Sequence, residues 1–270
     1  MSLVVVRALG LVTVQDAGRA GHMHEGLAPG GALVRAALVA ANRAAGNADF
    51  APAIEVLGRL IIRAEAPIEI ATDRTPRRAL DRDDELVIES EPQRAAYLAI
   101  RGGVAAPLVL GSASTHVAAQ LGRACAAGDR IVSAGAAVRV GTSSPAATRG
   151  GAIRVLPGPD AYSFAPDAVA ALLALPYRIS PHSDRVGTRL VGPTIARSSA
   201  PDRSRPTVRG AIEVPRDGQP IVLGPEHPTT GGYPILGVIC AADLDRFFAT
   251  RIGGDVSFEV GHVATSRARS

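Results

Sequence analysis

Glycine and proline punctuate this chain so closely that long helices have little room: 29 glycines and 20 prolines are spread over 270 residues. Between them lie short apolar segments rich in Val and Ile and bounded by Gly, Pro and Asp, a pattern of strands and turns. Strands are predicted at 3–7, 53–56, 60–64, 68–71, 85–89, 94–101, 130–133, 153–156, 211–214, 220–223, 235–240 and 256–260. Their number and spacing favour a sandwich or barrel over alternating βαβ units. Helices are few. The Ala-rich run 31–45 meets Gly46, a good C-terminal stop, and 166–175 opens on a proline and closes before Pro176. Weaker helical patterns lie at 116–123 and 241–250.

A hydrophobic content of 47% at this length is enough to bury a full core. The segment GTSSPAATRGG at 141–151 is the best candidate linker. It divides the chain into two β-rich halves, drawn at 1–145 and 146–270, between which no convincing repeat is visible. The apolar start Leu3–Val14 lacks a basic leader and is broken by Arg7 and Gly10, and the run Ala168–Leu175 falls far short of the roughly 20 residues that cross a bilayer. The expectation is a cytoplasmic protein with no membrane contact. Net charge is +4, but the basic residues are scattered among acids and aromatics are 3% of the chain, which argues against a nucleic-acid partner.

One absence has chemical force: the chain contains no lysine, so all 29 basic residues are arginines. Arginine stays protonated and does not act as an ordinary base or amine nucleophile. A Walker A loop, a lysine Schiff base, a Ser–Lys pair and a covalently attached biotin are all excluded on this chain. Any anion must be held by arginine, backbone amides or metal. Cys125 and Cys240 have no CxxC spacing and are expected to be buried free thiols. The six histidines His22, His24, His116, His182, His227 and His262 are dispersed, so no metal site is expected.

Four segments carry candidate chemistry. Gln15-Asp16-Ala17-Gly18-Arg19 puts an amide, a carboxylate and a guanidinium in one turn, suited to a small carboxylate-bearing molecule, with Arg19 giving a two-pronged contact and Gln15 reading an amide edge. An Asp turn cap paired locally with Arg19 is the plain structural alternative. Thr229-Thr230-Gly231-Gly232-Tyr233-Pro234 sets two hydroxyls before a glycine pair that lets backbone amides approach a phosphate, carboxylate or developing oxyanion; the alternative is a bare turn into the next strand. Arg185 and Arg189, four residues apart on an extended strand, would share one face as an anion clamp or as ordinary salt-bridged residues. Gly111-Ser112-Ala113-Ser114-Thr115 is a hydroxyl-rich loop entering a helical pattern, either an anion site or a helix cap.

These segments also carry a resemblance. LVTVQDAGRAGHMHEGLAPGGAL (11–33), ANRAAGN (41–47), AIEVLG (53–58), YLAIRGGVAAPLVLGSAST (97–115), VLPGP (155–159), SPHSDRVGTRLVGP (180–193) and AIEVPRDGQPIVLGPEHPTTGGYP (211–234) follow one another as in the C subunit of bacterial 5-oxoprolinases. That family is also described as KipA-like, allophanate hydrolase subunit 2 or biotin-dependent carboxyltransferase-like. The resemblance implies a mainly β fold with a few helices, built as two cyclophilin-like β-barrel units. It implies a smaller KipI-like B subunit as partner and a LamB/YcsF-like A subunit in the full enzyme, which opens the 5-oxoproline lactam at the expense of ATP. Asp16, Glu213 and Glu226 become the candidate proton-moving carboxylates. Gln15, Arg19, Arg185, Thr229, Thr230, Gly231, Gly232 and Tyr233 become the candidate binders of a small anionic substrate. Related domains instead carboxylate urea from carboxybiotin, and a third role is that of a non-catalytic regulator of the KipI-like partner.

The chain departs from the family pattern at charged positions. Leu33-Val34 stand where relatives have Met-Asp, Ile235 where they have lysine, Glu213 where they have glutamine, and Pro225-Glu226-His227-Pro228 where Asp-Arg-Gln is common. An added carboxylate disfavours an acidic ligand unless an arginine compensates it.

Overall fold

The computed structural model describes residues 1–135, 151–198 and 203–261. It divides into two compact units, Met1–Ala147 and Thr148–Ser270. The linker read at 141–151 lies outside the described residues except for Gly151, and so does His262. The fold is mainly β, with three α-helices among the described residues and a nearly closed, barrel-like sheet.

The first unit contains β1 (Ser2–Gln15), α1 (Arg35–Ala45), β2 (Ala53–Ala64), β3 (Ile68–Thr72), β4 (Arg78–Leu80), β5 (Glu85–Glu89), β6 (Ala96–Ile100) and β7 (Arg130–Val132). Its sheet runs β4-β3-β6-β2-β1-β7, with β5 also on β2. The strands predicted on either side of Gly58 are one strand, β2, because Gly58 stays in register opposite Gly10 and the ladder with β1 continues from Leu3↔Ala64 to Gln15↔Ala53. Alternating residues such as Leu3, Val5, Ile54, Val56, Leu60 and Ile62 point inward and are almost fully buried. Each contributes about 1.5–3 kcal/mol on burial.

The helix predicted from residue 31 begins at Arg35. Gly30 and Gly31 take left-handed φ of 64° and 82°. The next amides are drawn away by partners distant in sequence: Ala32 donates to the Asp16 carbonyl (3.2 Å), Leu33 to Glu55 Oε2 (2.7 Å) and Val34 to the Tyr97 hydroxyl (2.9 Å). The Tyr97 hydroxyl in turn donates to Glu55 Oε2 at 2.6 Å. Tyr97→Phe removes both of those bonds in a dry interior, so unfolding in urea is expected to show a loss of about 1–3 kcal/mol. The pattern at 116–123 gives only a short 3₁₀ turn, Val117–Ala119, in which the Ala119 amide is capped by His116 Nδ1 at 3.3 Å.

The second unit contains β8 (Ile153–Pro157), α2 (Ala168–Ala174), β9 (Tyr177–Ile179), β10 (Gly187–Val191), β11 (Arg205–Pro206), β12 (Ala211–Glu213), β13 (Ile221–Leu223), β14 (Thr230–Gly231), β15 (Ile235–Ile239), α3 (Leu244–Ala249), β16 (Asp255–Val256) and β17 (Phe258–Val260). The main sheet runs β16-β9-β10-β13-β12-β15-β8-β17, antiparallel except for β17 on β8, and β11 pairs separately with β14. Four of the chain's nine aromatic residues, Tyr177, Phe247, Phe248 and Phe258, pack together with ring centroids 5.1–6.3 Å apart. Such tilted and edge-on contacts add to their area burial. Both cysteines are free, and they are half-buried instead of fully enclosed.

Candidate functional site

In the first unit the Gln-Asp-x-Gly-Arg turn folds against the hydroxyl loop at 112–115. Asp16 ties them together. Its Oδ1 accepts from Gly18 N (2.8 Å), Ser112 Oγ (2.6 Å) and Ser114 Oγ (2.5 Å), and its Oδ2 accepts from Ala113 N (2.6 Å). Burial works to raise this carboxyl, but the serine hydroxyls and the two amides outweigh it and hold Asp16 below the ordinary carboxylate range. A carboxylate so fully engaged is a fixed acceptor and a poor base.

Arg19, only 2% exposed, turns toward the same loop. Its Nη2 donates to Ser114 O (2.5 Å) and Ser112 O (3.5 Å), and Nε reaches Val109 O at 3.4 Å. The guanidinium thus organises main-chain carbonyls. Gln15 is fully buried and donates through Nε2 to Thr13 Oγ1 (3.0 Å) and Thr115 O (3.1 Å). Beside this knot a cavity of about 400 Å³ opens between the apolar residues Val14, Ile54 and Ile131 and a rim that includes Arg19, Ser112 and Ser114. Cys125 also lines it, and burial pushes that thiol's pKa up, so it presents a neutral wall.

In the second unit the Thr-Thr-Gly-Gly-Tyr-Pro segment is gathered with residues from three other places. Thr230 and Gly231 form β14 and pair with Pro206 and Arg205. Behind Gly231 stands Glu213, the last residue of β12 and 5% exposed. A β-carbon at Gly231 would fall well inside contact distance of Glu213 Oε1 and 2.9 Å from Thr207 Cγ2, so glycine here makes room for the carboxyl. Burial pushes the Glu213 carboxyl up to about 7. Thr207 Oγ1 lies 3.0 Å from His227 Nδ1 and also contacts Pro228 O, to which Nδ1 approaches at 2.8 Å. Burial lowers the His227 pKa, which favours the uncharged ring at neutral pH, and Nδ1 faces these two oxygens. On the other side of the segment, Asp160 accepts from Ile235 N (2.8 Å) and pairs with Arg205, whose Nη2 reaches the Tyr162 hydroxyl at 3.2 Å. Thr230, Gly232 and Tyr233 face solvent.

The arginine clamp read at 185 and 189 is corrected. Asp184 takes the amides of Val186 and Gly187 (both 2.9 Å) in a turn, β10 begins only at Gly187, and the two arginines do not share a strand face. Arg189 is exposed. Arg185 is buried against Glu226, Nε to Oε1 at 2.5 Å, which provides the arginine that compensates this added carboxylate. Breaking such a pair from one side leaves a buried charge: Arg185→Ala is expected to lower stability by about 3–5 kcal/mol in chemical denaturation. Ile235, at the position of the family lysine, is a buried core residue of β15. The sequence reading missed Asp160, Arg205 and Thr207. Asp160 directly follows the quoted VLPGP segment, whereas nothing local marks Thr207. Among the described residues no group of three His, Cys, Asp or Glu side chains could hold a metal ion, and no helix is long and apolar enough to cross a membrane.

Two compact units, a mainly β composition and a nearly closed sheet define a β protein of barrel type, with a buried carboxyl set behind a Gly-Gly loop in the second unit. The chain belongs to the carboxyltransferase-domain family: the model for its subdomains A and B matches residues 25–260. The chain is 34% identical to the C subunit of Escherichia coli 5-oxoprolinase, over 95% of this chain and 90% of that protein. It is 30% identical to the C subunit of the Haemophilus influenzae 5-oxoprolinase, over 92% and 87%. A crystal structure of TTHA0988 superposes with TM-score 0.81 at 29% identity, over 96% of this chain and 55% of that one. The chain therefore spans about half of that polypeptide. The Kluyveromyces lactis urea amidolyase structure shares the fold at TM-score 0.83 and 23% identity, with this chain spanning 19% of it.

Proposed function

We propose that this protein is a subunit of an ATP-dependent 5-oxoprolinase-type complex, working in the cytoplasm with a smaller KipI-like B subunit and a LamB/YcsF-like A subunit. What supports the reading is near-end-to-end similarity to the C subunits of two 5-oxoprolinases, together with a buried carboxyl set behind the Thr229–Gly232 loop. Of the three candidate carboxylates, Glu213 fits the role of moving a proton. Asp16 is locked as an ionised acceptor, and Glu226 is engaged by Arg185. Glu213 combines burial with a pKa near neutrality, where an acid–base group is most effective. Thr229, Thr230 and the amides of Gly231 and Gly232 are the groups on that loop that can hold a carboxylate or developing oxyanion. ATP belongs to the complex, and no residue of this chain is assigned to it. A carboxyltransferase role on a urea-like substrate would need biotin carried by another protein, since this chain has no lysine.

The test is reconstitution of the purified chain with its B- and A-type partners, ATP and 5-oxoproline, measuring glutamate. ATP-dependent release that needs this chain is expected. A stable complex without turnover, where an E. coli complex is active in the same assay, would overturn the enzymatic reading in favour of a regulatory one.

A further inference from the structure

Glu213 offers a polar atom that the fold has not used. Its Oε1 is buried and has no hydrogen-bond partner among the described residues. That oxygen lies over the side-chain-free face of Gly231, and the next residue, Gly232, has open space on its own free face. The groups on the strands paired with β12 and beside the loop are apolar or have other partners. Its strand neighbours on β13 and β15 are Ile221 and Ile235. From the turn before the loop comes His227, which is bonded to Thr207 and the Pro228 carbonyl. Arg205 on β11 is paired with Asp160, and Arg209 stacks over Phe248 with 4.9 Å to the ring centroid.

An isolated buried carboxyl is favoured in its neutral form, because ionisation in a dry setting has no compensating partner. The neutral form presents one O–H donor beside one C=O acceptor, the same pair of functions as a primary amide. We propose that Glu213 acts as a neutral acid that donates its hydrogen to a carbonyl or carboxylate oxygen of a small molecule held against Gly231 and Gly232. This deepens the function proposed above: it makes Glu213 a donor in the resting site, not a base. A ligand bearing an acceptor oxygen is bound well while the acid is neutral. Once Glu213 ionises, two lone-pair-bearing oxygens face each other and binding weakens.

The test uses the full chain and 5-oxoproline as probe. Carboxyl titration by NMR on glutamate-labelled protein should show one resonance with a midpoint near 7, absent from Glu213→Gln. Calorimetric affinity of the wild type should fall about tenfold between pH 6 and pH 8, following the neutral fraction of an acid that titrates near 7. Glu213→Gln, which keeps a donor at every pH, should bind with nearly the same affinity at both. Glu213→Ala should lose binding at both. A midpoint in the ordinary glutamate range overturns the inference, as does wild-type affinity that is flat or rises with pH. Loss of binding in a folded Glu213→Gln at pH 6 also overturns it, as does a chain that binds 5-oxoproline at no pH. Reconstituted turnover is read separately. Falling affinity without turnover removes the enzymatic reading alone, and turnover with flat affinity removes this inference alone.

Discussion

Asp16→Ala is expected to destabilise the chain by about 3–5 kcal/mol, seen as a lower midpoint in urea unfolding. One carboxylate accepts four hydrogen bonds, and its loss leaves two serine hydroxyls and two main-chain amides to find partners in a largely buried setting. Each stranded donor costs roughly 1–3 kcal/mol before relaxation, and partial collapse of the 112–114 loop recovers some of this. The same interaction fixes the pH response. Because Asp16 is held below its unfolded value of about 3.8, its contribution is complete above that value and is lost as pH falls through the lower folded one. Acid unfolding of the wild type should therefore steepen below pH 4, and Asp16→Asn should flatten that limb. An Asp16→Ala protein with unchanged stability would mean that the knot between the 15–19 turn and the 112–115 loop contributes nothing.

Gly231→Ala is the substitution with the largest expected effect on activity: about a hundredfold loss of reconstituted turnover, with unfolding changed much less. The new methyl group meets the end of the Glu213 side chain and Thr207 Cγ2, not a stretch of backbone. Glu213 can therefore swing aside while the sheet holds, and the damage falls on the position of one carboxyl. Turnover assays beside urea unfolding check both halves. Full activity in Gly231→Ala would remove Glu213 from the chemistry.

The mainly β class and most strands were readable because Val- and Ile-rich segments between turn residues report a local preference. The misreadings share one cause, which is that a distant partner decided the outcome. Helix α1 begins four residues late because Asp16, Glu55 and Tyr97 claim the amides at 32–34. The arginines at 185 and 189 part company because Asp184 bends the chain and Glu226 draws Arg185 inward. The Gly-Gly loop was conspicuous in sequence, but Thr207 and Asp160 reach its flanks at His227 and Ile235 from far along the chain, and no spacing rule links them.

Among the described residues, each unit also joins its first strand to its last: β1 pairs with β7 across about 130 residues, and β8 with β17 across about 105. A ribosome releases those partners at opposite ends of a long interval. Neither of these two pairings can form until its later strand has emerged, and until then β8 carries an unsatisfied flank. Slow synthesis or a stalled nascent chain should therefore expose the second unit to chaperones and proteases through that bare flank.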